Sequence, residues 1–593
     1  MDVKTYRYKG TQEIVYTNNS PDTLRKVFYH LYPNAFQPGS EMDMRARTIN
    51  GADKRFMNTI KTADGKEIKE SRMMTLKPEE IGELKVSNLK QDGVSASTKQ
   101  IETILEVVLA KPILPGGKTT FTLDFDGQVP VQIRRSGRNN VEGLELSMAQ
   151  WYPKLSEYDF EGWHNDPYIA REFFGVWGNF DVKITIDKEY VLGGTGYLQN
   201  KNEIGHGYQD AGIVVKHPKK TKTLTWHFIA PNVHDFSWAA DKNYLHDIVK
   251  GPNNVDLHFL YKNNPKIISN WKQLQPLMVK IMDYFNKIVG DYPYKQYSFI
   301  QGGDGGMEYA MCTFMLGNGT VPGMMDIAPH ELAHSWFQQV LGSNESKHAW
   351  LDEGFATYIE YLALDGVYEK KTPDRFEESY TAYYNMVKSG KEQPQTTQSD
   401  RYEENKPYTV GSYHKGAIFL RQLEYVIGEE NVRKGLKRYY QEFKFKHPNP
   451  NDIKRVMEKV SGADLDWYLT DWTQTTNTID YGIKNVESAT DGVQRTGVSL
   501  ERMGRMPMPI DILVEYADGT KEIFYIPLRL LNYIKQSQAP YRRTVLKDWT
   551  WGDPNYFFEI PRAKADIKTI TIDPSGLMAD VKSENNIYPP KVN

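Results

Sequence analysis

Over residues 1 to about 235, apolar and polar residues alternate along short segments such as QEIVYT, RKVFYHLYP, TILEVVLA, TTFTLDFDG, FDVKITI and TLTWHFIA, separated by Gly, Pro, Asn or Asp. A period of two puts successive side chains on opposite faces of a strand, so this region predicts a large, mostly antiparallel β domain. LPGGK at 114–118 reads as one of its hairpin turns. Residues 146–166, LSMAQWYPKLSEYDFEGWHND, lose the alternation while staying dense in aromatics. They read as a loop that lines a cleft or packs as an aromatic plug.

Near residue 236 the period lengthens. WKQLQPLMVKIMDYFNKIVG (271–290), GSYHKGAIFLRQLEYVIG (411–428) and ENVRKGLKRYYQEFKF (430–445) carry apolar residues at helical intervals. NPNDIKRVMEKVSG adds a helix with an Asn or Asp cap. Between the first two helices, YSFIQGGDGGMEYAMCTFML (297–316) reads as a strand, a glycine loop and a second strand carrying Glu308. The polar run at 388–408 reads as a surface loop. From about 478 alternation returns, with an Asp518-Gly519 hairpin turn. The expected organisation is multidomain α+β: a β domain over 1–235, a mainly helical domain over 236–477, a small β-sandwich over 478–582 and a tail over 583–593.

Composition narrows function mainly by exclusion. The 593 residues are 39% hydrophobic and 25% charged, an ordinary globular balance, and 12% aromatic with 38 tyrosines, which suits β-rich regions and aromatic clefts. Net charge is 73 minus 76, or −3, which gives no reason to expect nucleic acid or an anionic membrane as partner. With Cys312 as the single cysteine, no intramolecular disulfide and no cysteine-based zinc site can form. No apolar run is long enough for a transmembrane helix, and the start, MDVKTYRYKG, has no signal-like apolar core.

The chemistry concentrates in HELAHSWFQQVLGSNESKHAWLDE, residues 330–353. Histidines four apart on a helix share a face, so the imidazoles of His330 and His334 can reach one cation, with Glu331 on its flank. Eighteen residues separate His334 from Glu353, which opens a second helical pattern and can return a carboxylate to the same ion. A catalytic zinc needs three protein ligands, an open position for water and a nearby base, and this stretch holds all of them.

Four motifs, GGMEY (305–309), HELAH (330–334), DEGFA (352–356) and SYHKG (412–416), together resemble the aminopeptidase N family of zinc metallopeptidases, gluzincins that also include the bifunctional leukotriene hydrolase. The resemblance implies that the helical domain is a thermolysin-like catalytic domain. It implies one Zn2+ per chain held by His330, His334 and Glu353, with Glu331 as general base. Glu308 would hold the free α-amine of a peptide, with Gly305, Gly306, Met307 and Tyr309 beside it. Tyr413 would donate to the oxyanion, Gln150 would be a second contact on the amine side, and Glu360 a partner for a histidine ligand. Two positions depart from the family pattern: Tyr309 stands where asparagine is usual, and Asp352 likewise.

The expected activity is therefore removal of N-terminal residues from peptides. Alternatives are an endopeptidase with the same metal site, epoxide hydrolysis, or a non-catalytic peptide-binding scaffold. A monomer or small oligomer is expected, and relatives with a QWYPKL-type loop favour an exported bacterial envelope protein over a cytoplasmic one.

Overall fold

The computed structural model describes residues 1–48, 55–368, 374–536 and 540–590. Its architecture is multidomain α+β, with β-rich regions flanking a helical centre. Among the described residues no helix is long and apolar enough to cross a membrane.

The N-terminal region contains two four-stranded antiparallel sheets that turn apolar faces toward each other. One is built on Arg7–Thr17, Lys118–Gln128 and Glu83–Gln91, the other on Leu24–His30 and Ile104–Ile113. Alternate residues Phe121, Leu123 and Phe125 point inward from the first, and Val27, Tyr29, Leu105 and Val107 from the second. Tyr29 meets Phe121 edge-on, with ring centres 6.4 Å apart.

This arrangement corrects the hairpin expected at 114–118. The strands before and after LPGGK lie in different sheets, so the turn arches from one to the other. Gly116 supplies a φ of +69°, and the buried Asn18 amide donates to the carbonyls of Asp22, Ile113 and Leu114. Alternation alone cannot tell a hairpin from an arch, because both leave each strand with one apolar face. Residues 146–166 are also not a single loop but a series of short strands, Leu146–Met148, Lys154–Leu155, Tyr158–Asp159 and Gly162–Trp163.

The centre is a five-stranded mixed sheet in which β1 (Tyr244–Lys250), β2 (Asp256–Lys262), β3 (Gln296–Gln301), β4 (Met307–Tyr309) and β5 (Cys312–Met315) lie in the order 1-2-3-5-4. The glycine stretch ends in a tight hairpin, β4 to β5, that pairs Glu308 with Thr313. Helix α1 (Pro265–Ile288) is capped by Asn264 and buries Trp271, Leu274, Met278, Ile281 and Phe285. It starts earlier than its apolar period suggested, because Pro265 is compatible with a first helical turn. Helix α2 (Ala328–Ala333) packs against β4 and β5 and against α3 (Glu345–Val367), and α4 (Lys415–Ile427) packs on α3.

The run 388–408 is not simply a surface loop. Gln395, Ser399 and Tyr402 are buried, and Arg45 of the N-terminal region donates to the backbone oxygens of Asp400 and Tyr402. Its polar composition serves backbone and side-chain hydrogen bonding inside an interface instead of solvation.

C-terminal strands form a three-stranded and a five-stranded sheet that face each other, with Phe524 and Phe558 at 5.3 Å between them. Gly519, at φ +82°, makes the expected turn. Within the stretch expected as a tail, Ile587–Tyr588 pairs with Ile567–Ile572 as an edge strand; residues 591–593 lie outside the described residues. Two apolar residues sufficed to add a strand where a sheet edge was available.

Replacing Asn18 with alanine removes the donor for three carbonyls at the inter-sheet arch. The expected cost is about 1–3 kcal/mol, read as a lowered midpoint in chemical denaturation.

Candidate metal centre

Pro329 sits in the first turn of α2, where its missing N–H costs nothing, and the turn presents His330 and then His334 on one face. Glu353 comes from α3, five residues beyond a break at His348 (φ −134°, ψ 47°). His330 Nε2 lies 3.1 Å from Glu353 Oε2 and 3.1 Å from His334 Nε2, and His334 Nε2 lies 3.2 Å from Glu353 Oε2. The opposite ring nitrogens are held by carboxylates. His330 Nδ1–H donates to Glu360 Oε2 at 3.1 Å, and His334 Nδ1–H donates to Asp352 Oδ1 at 2.5 Å.

These atoms fit a zinc ion. Bonds of about 2.0–2.1 Å in a tetrahedron keep ligand atoms roughly 3.3 Å apart, close to the three separations observed. Both histidines also have the orientation metal ligands need, with Nε2 inward and the other nitrogen donating to an acid. Charge points the same way. Glu308, Glu331, Glu345, Asp352, Glu353 and Glu360 are all buried around the two imidazoles. Burial, then the Glu308 charge, pushes the Glu331 carboxyl up to about 8. His330, although burial opposes it, is pushed up to about 10 by Glu353 and Glu360. The pocket gathers protons in the way a site short of positive charge must.

Glu308 is brought to this centre from β4. One carboxyl oxygen each of Glu308 and Glu331 and one ring nitrogen of His334 lie within 4.8 Å of one another. The sequence permits this because Gly306 has no side chain: a β-carbon there would overlap Glu331 Oε1. Gly305 faces open space. Met307 is buried with its sulfur against the Arg135 guanidinium. Tyr309 is buried too, its ring 4.7 Å from Phe314 and its hydroxyl without a hydrogen-bond partner. Gln150 donates from Nε2 to Asp235 Oδ2 at 2.9 Å, while its Oε1 is buried without a partner. It lines a cavity of about 10 Å³ together with Arg135, Ser136, Tyr168 and Phe173.

Tyr413 lies in a π-helical turn, Val410–His414, that leads into α4. Its ring stacks on His330 at 5.6 Å and its hydroxyl donates to Glu353 Oε1 at 2.5 Å. The contact depends on two glycines. A β-carbon at Gly354 would land on Gly416, and one at Gly416 would land on Gly354, so α3 and α4 touch backbone to backbone where they cross. The crossing lies one residue after Glu353 and three after Tyr413.

Several residues at the centre had no readable sequence signal. Asp352 was visible only as a departure within DEGFA, not as the partner of His334. Glu172, from the N-terminal β region, pairs with Arg135 at 2.8 Å and accepts the Tyr408 hydroxyl at 2.5 Å, and Arg171 lies over the Tyr408 ring. Glu345, in the first turn of α3, accepts the Phe173 N–H at 3.2 Å. No periodicity links residues so far apart in the chain.

With this geometry in place, comparison with known proteins is specific for the central region. The family description "Peptidase family M1 domain" matches residues 277–472. Those residues form a family M1 peptidase domain. It contains Glu308, His330, Glu331, His334, Glu353 and Tyr413, whereas Gln150 lies outside the matched M1 domain. The chain is similar to "Aminopeptidase M1-A" of Oryza sativa subsp. japonica, 27% identical over 190 residues, covering 31% of this chain and 22% of that protein. It is also similar to "Probable aminopeptidase 1" of Sulfurisphaera tokodaii, 28% identical over 149 residues, covering 25% and 19%. The alignments thus span about a fifth of these relatives' lengths. Among solved structures, the M1 zinc metallopeptidase of Deinococcus radiodurans aligns with a TM-score of 0.50 at 14% identity, over 78% of this chain and 89% of that one. The likeness extends the shared fold beyond the M1 domain itself.

Gly416→Ala in the M1 domain is expected to lower stability by about 1–3 kcal/mol through overpacking. Gly305→Ala, which meets nothing, is expected to leave it unchanged; paired thermal unfolding measurements check both.

Proposed function

We propose that the chain is a zinc-dependent aminopeptidase acting on peptides with a free N-terminus, with one zinc per chain on His330, His334 and Glu353. The observation that carries this reading is Glu308, whose carboxyl lies within 4.8 Å of both Glu331 and His334 in a buried site with no lysine or arginine paired to it among the described residues. A carboxylate beside a hydrolytic centre is suited to an ammonium, and an ammonium one bond from the reacting carbonyl's α-carbon makes the enzyme an exopeptidase.

When bound, zinc supplies Lewis acidity, polarising a carbonyl and acidifying water. The protein residues do the rest. Glu308 holds the α-ammonium and so fixes which peptide bond enters the centre. Glu331, with an oxygen that has no hydrogen-bond partner, takes a proton from the attacking water and delivers it to the departing amine. Tyr413, whose hydroxyl burial and then Glu353 keep protonated, donates to the oxyanion. Asp352 and Glu360 hold the imidazoles in the required tautomer. Burial of the whole cluster keeps competing water away from these charges.

The reading is tested by Glu331→Gln, which should abolish turnover of aminoacyl chromogenic substrates while zinc content stays at that of the wild type. Full activity in that variant sinks the mechanism. Tyr413→Phe is expected to lower kcat by about 10²–10³. N-acetylated peptides should be poor substrates, and Glu308→Ala should erase the difference between blocked and free peptides; efficient cleavage of blocked peptides by the wild type would point to an endopeptidase instead.

A further inference from the structure

The segment that leads into Glu308 carries little restraint of its own. Four of the five residues 302–306 are glycine, the residue with the most backbone freedom to lose on folding, and Gly303 takes a left-handed φ of +70°. The exception is Asp304, and its side chain meets the N-terminal β region.

That region holds the segment through a set of polar contacts. Ser147 Oγ accepts the Gly303 N–H at 2.9 Å, and Asn140 Nδ2 donates to the Gly303 carbonyl at 2.7 Å. Asp304 accepts twice: Oδ1 takes the Arg135 N–H at 2.8 Å, and Oδ2 takes the Arg134 guanidinium at 3.3 Å. The Arg134 and Asp304 side chains are only 12% and 11% exposed, so salt and water screen this pair far less than a surface one. Burial opposes ionisation, but Arg134 and then Arg135 hold the Asp304 carboxyl below its ordinary range.

Arg135 also acts beyond Asp304. Its guanidinium lies against the Met307 sulfur and pairs with Glu172 at 2.8 Å. One arginine thus grips the chain on both sides of Gly305 and Gly306, by its backbone N–H before them and by its side chain after them. Gly306 lies so close to Glu331 Oε1 that a β-carbon would overlap it, so a shift of the gripped segment changes the spacing between Glu308 and Glu331.

We propose that Asp304 is a positioning residue for amine recognition: by clamping the glycine segment to Arg134 and Arg135, it sets where the Glu308 carboxyl stands and so where a substrate's α-ammonium is held. Selection of a free N-terminus is then shared between two regions of the chain, the central sheet supplying the carboxylate and the N-terminal β region fixing its place.

The inference rests on the reading of Glu308 as the partner of the ammonium, and the experiment separates the two. Zinc content and kcat/KM of the full zinc-loaded chain are measured on free-amine peptides and their N-acetylated forms for wild type, D304A, E308A and the double variant. D304A should lose about 10–100-fold in kcat/KM on free-amine peptides, with zinc content and cleavage of acetylated peptides unchanged. Added to E308A, it should change nothing further, because the residue it acts through is already gone. An equal loss on both kinds of peptide, a further loss on the E308A background, or no loss at all overturns the inference while leaving the role of Glu308 standing. A wild type that cleaves free and acetylated peptides alike takes down that role and the inference with it. If D304A does not fold, D304N decides by the same criteria, since asparagine keeps an acceptor for the Arg135 N–H and loses the charge that meets Arg134: a smaller loss confined to free-amine peptides supports the clamp, and wild-type kinetics or a loss shared by acetylated peptides overturns it.

Discussion

The centre of this protein is governed by an excess of buried negative charge. Six buried carboxyl side chains surround two imidazoles, and such a cluster persists only if cations or protons balance it. In the proposed reading, a dication held by the three inward-facing atoms would answer part of the deficit, and the ammonium of a substrate more. His330, His334, Glu353, Glu331, Glu308 and the acids behind the histidines are thus not independent additions to a fold. Each changes the charge the others must bear, which is why burial and neighbouring acids recur together as the causes that shift Glu308, Glu331 and Asp352 upward.

The surrounding architecture gives that cluster its precision. A mixed sheet supplies the β4 hairpin with Glu308, the short α2 supplies the histidines, and α3 supplies both the third inward atom and the acid behind His334. The N-terminal β region contributes more than a wall. Arg135 and Glu172 reach in to brace Met307 on one side and Tyr408 on the other, so the strand with Glu308 and the turn with Tyr413 are tied through a second region of the chain.

What could be read in the sequence follows physical range. The histidine pair was legible because i and i+4 share a face of any helix, and most strands were legible because one-sided burial forces alternation. Glu353 was legible from its place at the head of an apolar helical pattern. The arch at 114–118 was not, since strand pairing depends on which surfaces meet after collapse. Nor was the burial of Gln395, Ser399 and Tyr402 within a polar run that meets the N-terminal region. Asp352 adjoined Glu353 in sequence, yet its partner, His334, lies on another helix, and only the packing of α2 on α3 reveals it.

The crossing at Gly354 and Gly416 has a consequence for how this protein can change. With backbone on backbone and no side chain between, neither helix can slide along the other: a shift of one residue would drive Phe355 or Ala417 into the gap. Insertions and deletions on the approach to either helix must therefore be absorbed before its glycine. DEGFA and SYHKG, distant in the chain, behave as one mechanical part, a detent whose two halves cannot drift separately without moving a tyrosine off its carboxylate.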